Sequence, residues 1–286
     1  MKTLAWALLG VLVPACSNDS AQSEIGSDGG APPTTSDGAS GGAGGAPPCS
    51  ATAFGAAEDH GLPDGFPAEA FDALGSAGAC DSGAAEPSYG LVDLDGDGLV
   101  DLVVTDDCLK EAVGAQHWLL FRNDGATFGA AELWSLPDYG PEAFEHLAAG
   151  GACGNGDLKP SYGLVDLDGD ALVELVVADD CADEAVGRTS WRVHRNTGSG
   201  FSTAPESWHL PDYGPEAFEH LAGDGACGSG DLKPAYALLD LNHDEQLDLV
   251  VTDDCYTEAV GRSWWLVHES TGNGFADAAT PWALPD

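Results

Sequence analysis

The chain reads as an all-β repeat array of three four-stranded units, with a short helix in each inter-strand insertion. Three observations predict this class. Acidic strings begin at Asp93, Asp166 and Asp240, 73 or 74 residues apart. The tripeptide Leu-Pro-Asp recurs at Leu62, Leu136, Leu210 and Leu284, each 74 residues after the last. Between these markers apolar residues alternate with period two, as in strands that bury one face. Self-similarity at a fixed period points to units that bury their faces on one another.

Two segments precede the array. Lys2 and the apolar run from Leu4 to Val13 form an export signal, too short for a stable membrane span. It ends Leu12-Val-Pro-Ala-Cys16, and a small residue directly before Cys resembles the bacterial lipobox. That resemblance implies a signal peptide over 1–16 and lipidation of Cys16; a plain secretory signal cut nearby is the alternative. Residues 17–50 are rich in Ser, Gly and Pro, cannot bury a core, and are expected to form a disordered tether. The folded region is then 51–286. The expected location is outside the cytoplasm, lipid-anchored to a bacterial membrane or cell surface or else secreted, where disulfides persist. Nine basic against forty-eight acidic residues give a formal charge of −39. Nucleic acid is not expected as a partner, because phosphate contacts need the opposite sign. A membrane is expected to be met only through the anchor.

Within one unit, Tyr162 to Leu167 alternates, the acidic loop turns the chain, and Glu174 to Asp179 runs as a second strand. Ser190 to Arg195 alternates again, ends at the turn Asn196-Thr-Gly-Ser-Gly200, and Phe201 to Leu210 forms a fourth strand. Four antiparallel strands per unit is the pattern of a propeller blade, so the array is expected to be β-propeller-like. The units fall at about 54–127, 128–200 and 201–274, with a closing strand at 275–286. A helix is predicted from Pro141 to Ala148, with Pro at its start and Gly after its end. Trp118, Trp191 and Trp264 sit in alternating strands and read as core.

The acidic strings are the candidate metal loops. Oxygen side chains stand at positions 1, 3, 5 and 9 of each: Asp93, Asp95, Asp97 and Asp101; Asp166, Asp168, Asp170 and Glu174; Asp240, Asn242, Asp244 and Asp248. Hard oxygens this dense on a short loop suit Ca²⁺, which takes six to eight of them. About three ions per chain are expected. The EF-hand geometry is excluded, since the twelfth position is Val104, Val177 or Val251 instead of a bidentate Glu. Acidic turns without metal are the alternative.

These loops, with a hydrophobic strand before them and Leu-Val-Val after, resemble FG-GAP/VCBS-type repeats of integrin-like β-propellers. Phe54-Gly55 and Phe128-Gly129 carry the Phe-Gly start of that pattern, from which Phe201-Ser202 and Phe275-Ala276 depart. The resemblance implies ligation by the side chains at 1, 3, 5 and 9 and by the backbone carbonyl at 7, which is Leu99, Leu172 or Gln246. Gly98 suits the tight turn of the first loop, whereas Ala171 and Glu245 occupy that place in the others, so the first is expected to bind tightest. Three blades are fewer than an ordinary ring. A three-bladed ring, an open arc, and a homodimer that completes a ring all satisfy the pattern.

Cys80, Cys153 and Cys227 repeat in step with Cys108, Cys181 and Cys255. Six cysteines allow fifteen connectivities, and repeat symmetry selects Cys80–Cys108, Cys153–Cys181 and Cys227–Cys255. Each would close a loop worth about 3–4 kcal/mol. Zinc is the alternative, without a Cys-x-x-Cys pair to support it. Cys49 has no counterpart in the repeat.

The insertion holds the candidate ligand-binding residues: Asp138, Tyr139 and His146, and their copies Asp212, Tyr213 and His220. Aromatic faces beside carboxylates suit a sugar; covering the blade is the structural alternative. No nucleophile, zinc-protease or phosphate-loop motif occurs, so no catalytic residue is assigned and the chain is expected not to be an enzyme. The leading expectation is a calcium-binding, non-catalytic surface binding or adhesion module whose partner is an extracellular glycan or a surface protein. A calcium-dependent lectin and a polysaccharide-active hydrolase or lyase are the alternatives.

Overall fold

A computed structural model describes residues 61–285, except 64, 67–69, 72, 79, 81–85, 154–157 and 229–231. The signal, Cys16, the tether and Cys49 lie outside the described residues.

Among the described residues, fifteen strands form three separate five-stranded antiparallel sheets, each a simple meander. The first holds β1 (Ser76–Ala77), β2 (Ser88–Val92), β3 (Asp101–Asp106), β4 (His117–Phe121) and β5 (Glu132–Ser135). The second holds β6 (Ala149–Cys153), β7 (Leu158–Val165), β8 (Glu174–Asp179), β9 (Ser190–His194) and β10 (Glu206–His209). The third holds β11 (Gly223–Ala226), β12 (Lys233–Leu239), β13 (Asp248–Asp253), β14 (Trp264–His268) and β15 (Thr280–Ala283).

This confirms the all-β class and corrects its detail. Each sheet has five strands where the sequence predicts four. The additional edge strand is Gly- and Ala-rich, as in Ala149-Gly-Gly-Ala-Cys153, and residues of that kind carry neither alternation nor β propensity. It pairs because β7 and β12 offer it a hydrogen-bonding edge, with Ala149 opposite Tyr162 and Gly223 opposite Tyr236. The predicted helix over 141–148 is a run of turns and bends, and no α-helix occurs among the described residues. Glu142 and Glu216 take φ of 61° and 58°, which a right-handed helix does not admit. The irregular path sinks Ala143 and Phe144, and likewise Ala217 and Phe218, into the core. Segment 275–286 supplies β15 to the third sheet, where Trp282 lies opposite Trp265; it does not complete the first, and no ring closes among the described residues.

The sheets stack face to face through two cores built from equivalent residues. Between the first and second, Leu94, Val103, Trp118 and Trp134 meet Tyr162, Leu175, Val177 and Phe201. Between the second and third, Leu167, Val176, Trp191 and Trp208 meet Tyr236, Leu249, Val251 and Phe275. Phe201 stands edge-on to Trp118 and Trp134, each 5.8 Å away between ring centroids. Phe275 does the same with Trp191 and Trp208 at 5.8 and 5.9 Å. Edge-to-face contacts of this kind add to the burial of the rings themselves. The indoles of Trp118 and Trp191 donate to the carbonyls of Phe144 and Phe218, both at 2.7 Å, fastening each insertion over its sheet.

Trp118 and Trp191 are fully buried, as expected. The counterpart in the third sheet is Trp265, and it and Trp264 are only part-buried. Lys159 and Lys233 tie each later sheet to the insertion before it. Lys159 pairs with Glu142 and Glu145 at 3.4 and 3.2 Å, and Lys233 with Glu216 and Glu219 at 3.1 and 3.0 Å.

Candidate metal centre

Each acidic string joins the second and third strands of a sheet, at the end opposite the disulfide. The bridges Cys80–Cys108, Cys153–Cys181 and Cys227–Cys255 are all formed, each 28 residues apart. Every hairpin that carries an acidic loop is thus closed covalently at its far end, which restricts the unfolded chain.

Positions 1, 3 and 9 converge in the first two loops. Carboxylate oxygens of Asp93, Asp95 and Asp101 lie within 4.8 Å of one another, as do those of Asp166, Asp168 and Glu174. Position 5 stands apart. Asp97, Asp170 and Asp244 accept from the backbone N–H two residues on, at Leu99, Leu172 and Gln246, with bonds of 2.8, 2.8 and 3.0 Å. In the third loop Asp240 accepts from His243 and Glu245 at 2.7 and 3.2 Å, while Asn242 donates to Asp244 at 3.0 Å.

The backbone explains the position-1 aspartates. Asp93 accepts from Gly96 at 2.8 Å and Gly98 at 2.9 Å, and Asp166 from Gly169 at 2.8 Å and Ala171 at 3.0 Å. Those turns need positive φ. Gly96 and Gly98 supply it, and Ala171, His243 and Glu245 adopt 70°, 62° and 71° in the later loops. A side chain in this region costs about 1 kcal/mol.

Position 9 is buried. Asp101, Glu174 and Asp248 are 0, 1 and 0% exposed. Asp101 accepts from Leu94 at 3.3 Å and Asn123 at 2.9 Å, and Asp248 from Ser270 at 3.0 Å. Oδ1 of Asp168 is buried with no hydrogen-bond partner. Burial of an unpartnered carboxylate oxygen is costly, although Arg195 meets the other oxygen of Asp168. This donor set, all hard oxygens and partly orphaned, fits a Ca²⁺ ion.

Sequence reasoning missed the arginines. Arg122 pairs with Asp95, and Arg195 with Asp168, the third position of each loop. Arg195 also lies 3.7 Å from Glu174. A guanidinium therefore already offsets part of the charge a metal would take. The signal was present in the repeats: in the third unit Glu269 replaces the arginine and Asn242 replaces the aspartate.

Burial pushes the Glu174 carboxyl up to about 8, and Asp168 and Asp166 add to the shift; Asp101, Asp166 and Asp248 are raised in the same sense, chiefly by burial. The folded protein then keeps a proton that the unfolded chain releases near 4.5, so Glu174 contributes stability below that value which is lost as pH rises through about 8. Part-buried His146 and buried His194 and His268 are lowered, chiefly by desolvation, and act below pH ~6.5 instead. In chelator, the melting temperature is expected to fall between pH 6.5 and 8.5, and Glu174→Gln to flatten that slope. An unchanged slope in the variant rules the assignment out.

The candidate ligand-binding residues divide. Tyr139 and Tyr213 are part-buried in the inter-sheet cores, bonded to His194 and His268 at 3.0 and 2.9 Å. His146 is part-buried, its N–H donating to Tyr162 Oη at 3.2 Å. His220 is exposed and meets Ser161 at 2.9 Å. Asp138 and Asp212 are exposed and cap the turns at Gly140 and Gly214, both at 3.1 Å. Their aromatic neighbours therefore serve packing first.

No family model matches the chain, and no curated protein matches it. Among solved structures, the Photorhabdus luminescens Tc holotoxin pore is 18% identical with a TM-score of 0.39. It matches over 69% of this chain and 7% of its own. An Agrocybe aegerita lectin, described as recognising non-reducing terminal N-acetylglucosamine, is 19% identical with a TM-score of 0.36, over 69% of this chain and 38% of its own. The chain thus spans well under half the length of either.

Proposed function

We propose that the chain is a calcium-binding, non-catalytic binding module that works outside the cytoplasm. The observation that carries this reading is the convergence of three carboxylates within 4.8 Å in each of the first two loops. The unpartnered buried oxygen of Asp168 supports it. Asp93, Asp95 and Asp101 would hold the first ion, Asp166, Asp168 and Glu174 the second, and Asp240, Asn242 and Asp248 a weaker third. Bound metal would neutralise repelling carboxylates and fix the row of loops, leaving exposed Asp138, Asp212 and His220 as contacts for a surface glycan or protein. Three disulfides suit an oxidising compartment, which agrees with export.

Calorimetric titration of the chelator-treated full chain with CaCl₂ tests this directly. Two to three ions should bind, and at a hundredfold excess over Kd each should stabilise the fold by about 2.7 kcal/mol. Asp101→Asn and Glu174→Gln should each remove one ion. No heat and no shift in melting temperature at millimolar calcium would end the proposal. Glycan screening with and without chelator then tests the lectin form of the reading.

A further inference from the structure

The two outer faces of the stack are the two halves of an interface that the chain already contains twice. In both inner interfaces, a pair of tryptophans on one sheet receives a phenylalanine from the next. The outer face of the third sheet carries the tryptophan pair again, as Trp265 opposite Trp282, with no phenylalanine against it among the described residues. Trp282 is 43% exposed, whereas its equivalents Trp134 and Trp208 are 1% exposed. Leu239 is 41% exposed where Val165, its equivalent, is 5%.

The outer face of the first sheet holds the complementary set. Phe128 is the equivalent of Phe201 and Phe275; it is part-buried and packs with the cluster of Tyr89, Val104 and Phe121, alongside Phe66 and Phe71, with no tryptophan pair against it among the described residues. Leu74 is 84% exposed, although its equivalents Leu147 and Leu221 pack into the inner cores. Terminal repeats of a stacked array normally carry a polar outer face, and the third sheet, with Trp282 and Leu239 exposed, does not.

We infer that a second copy of this chain docks head to tail, its Phe128 face seated on the Trp265–Trp282 face of the first. Gly61 now bridges Thr127 as Ser135 bridges Gly200 and His209 bridges Gly274. In the docked pair β15 takes the place of Gly61 at this bridge, as Ser135 and His209 at the ends of β5 and β10 do in the inner interfaces. One feature resists close approach. His243 stands where Gly96 and Gly169 let neighbouring loops touch, so the joint opens at the loop edge.

Sedimentation of the oxidised full chain from 1 to 200 μM tests the docking. Association is expected, and it should strengthen with salt, because screening reduces repulsion between strongly acidic copies. Phe128→Glu and Trp282→Glu should each weaken self-association at least a hundredfold with the disulfides retained; exposed Trp282→Glu should leave the melting temperature unchanged, whereas part-buried Phe128→Glu should lower it. Mixed together, the two variants should form a heterodimer, since one intact face remains on each. His243→Gly should strengthen association. A wild-type monomer throughout overturns the inference. So does self-association that Phe128→Glu leaves intact, which would mean tail-to-tail pairing. None of these readings needs calcium, so failure here leaves the metal proposal standing, and the converse holds.

Discussion

Trp191→Ala is expected to destabilise the oxidised, metal-free protein by about 3–5 kcal/mol, while Trp265→Ala, one repeat later, costs well under half as much. The residues are equivalent in sequence and in strand position, so intrinsic propensity cancels between them. What differs is the neighbour. Trp191 is fully buried against Phe275, and its indole N–H donates to the Phe218 carbonyl at 2.7 Å. Removing it leaves a large cavity and strands a buried carbonyl. Trp265 is part-buried on the outer face, and truncation there removes surface that was already partly in water. Urea denaturation at 1 μM, where copies are apart, measures both. Equal losses would refute the open stack and imply a covered third face.

Much of this arrangement was legible in the sequence because it is repeated. The pairing of Cys153 with Cys181 followed from symmetry alone, and so did the placement of Asp166 and Glu174 at either end of one loop. Alternation in Ser190 to Arg195 located β9. What symmetry could not show was pairing without pattern. Gly223-Asp-Gly-Ala226 has no apolar side, and it becomes a strand only because β12 presents an edge. The insertion failed for the opposite reason. Pro, Glu, Ala and Leu favour a helix locally, but Phe144 reaches its site between Tyr139 and Tyr162 only by a left-handed step at Glu142. Tertiary packing overrode propensity there. The aromatic residues of that insertion looked like a sugar platform for the same reason: sequence shows that Tyr139 and Phe144 are aromatic, not which way they face. Arg122 and Arg195 lie 27 residues beyond Asp95 and Asp168, so only the fold brings each pair together, though Glu269 and Asn242 change together where the arginine is lost.

Glycine placement gives the second large effect. Gly169→Ala should cost about 2–5 kcal/mol, Gly96→Ala less, and Gly98→Ala only about 1 kcal/mol. All three have positive φ, at 76°, 75° and 86°, so backbone strain is common to them. Their surroundings separate them. A Cβ on Gly169 would sit 2.1 Å from the Glu245 carbonyl oxygen, a backbone atom of the third loop. On Gly96 it would meet Leu172 Cδ2 at 2.6 Å, the movable end of a side chain, and the Ala171 carbonyl at 3.0 Å. On Gly98 it would meet nothing within 4 Å. The loops therefore rest directly on one another, first on second and second on third. This explains His243 as well: the third loop has no further loop against it among the described residues, and a side chain fits. Because the contact is backbone to backbone, Gly169→Ala must also push Glu245, which bonds Asp240, and so disturb two candidate calcium sites with one methyl group. Titration of that variant should show weaker binding at the second and third loops with the first intact. A loss no greater than that of Gly98→Ala would show that the loops do not stack, and that each site, if it binds metal, does so alone.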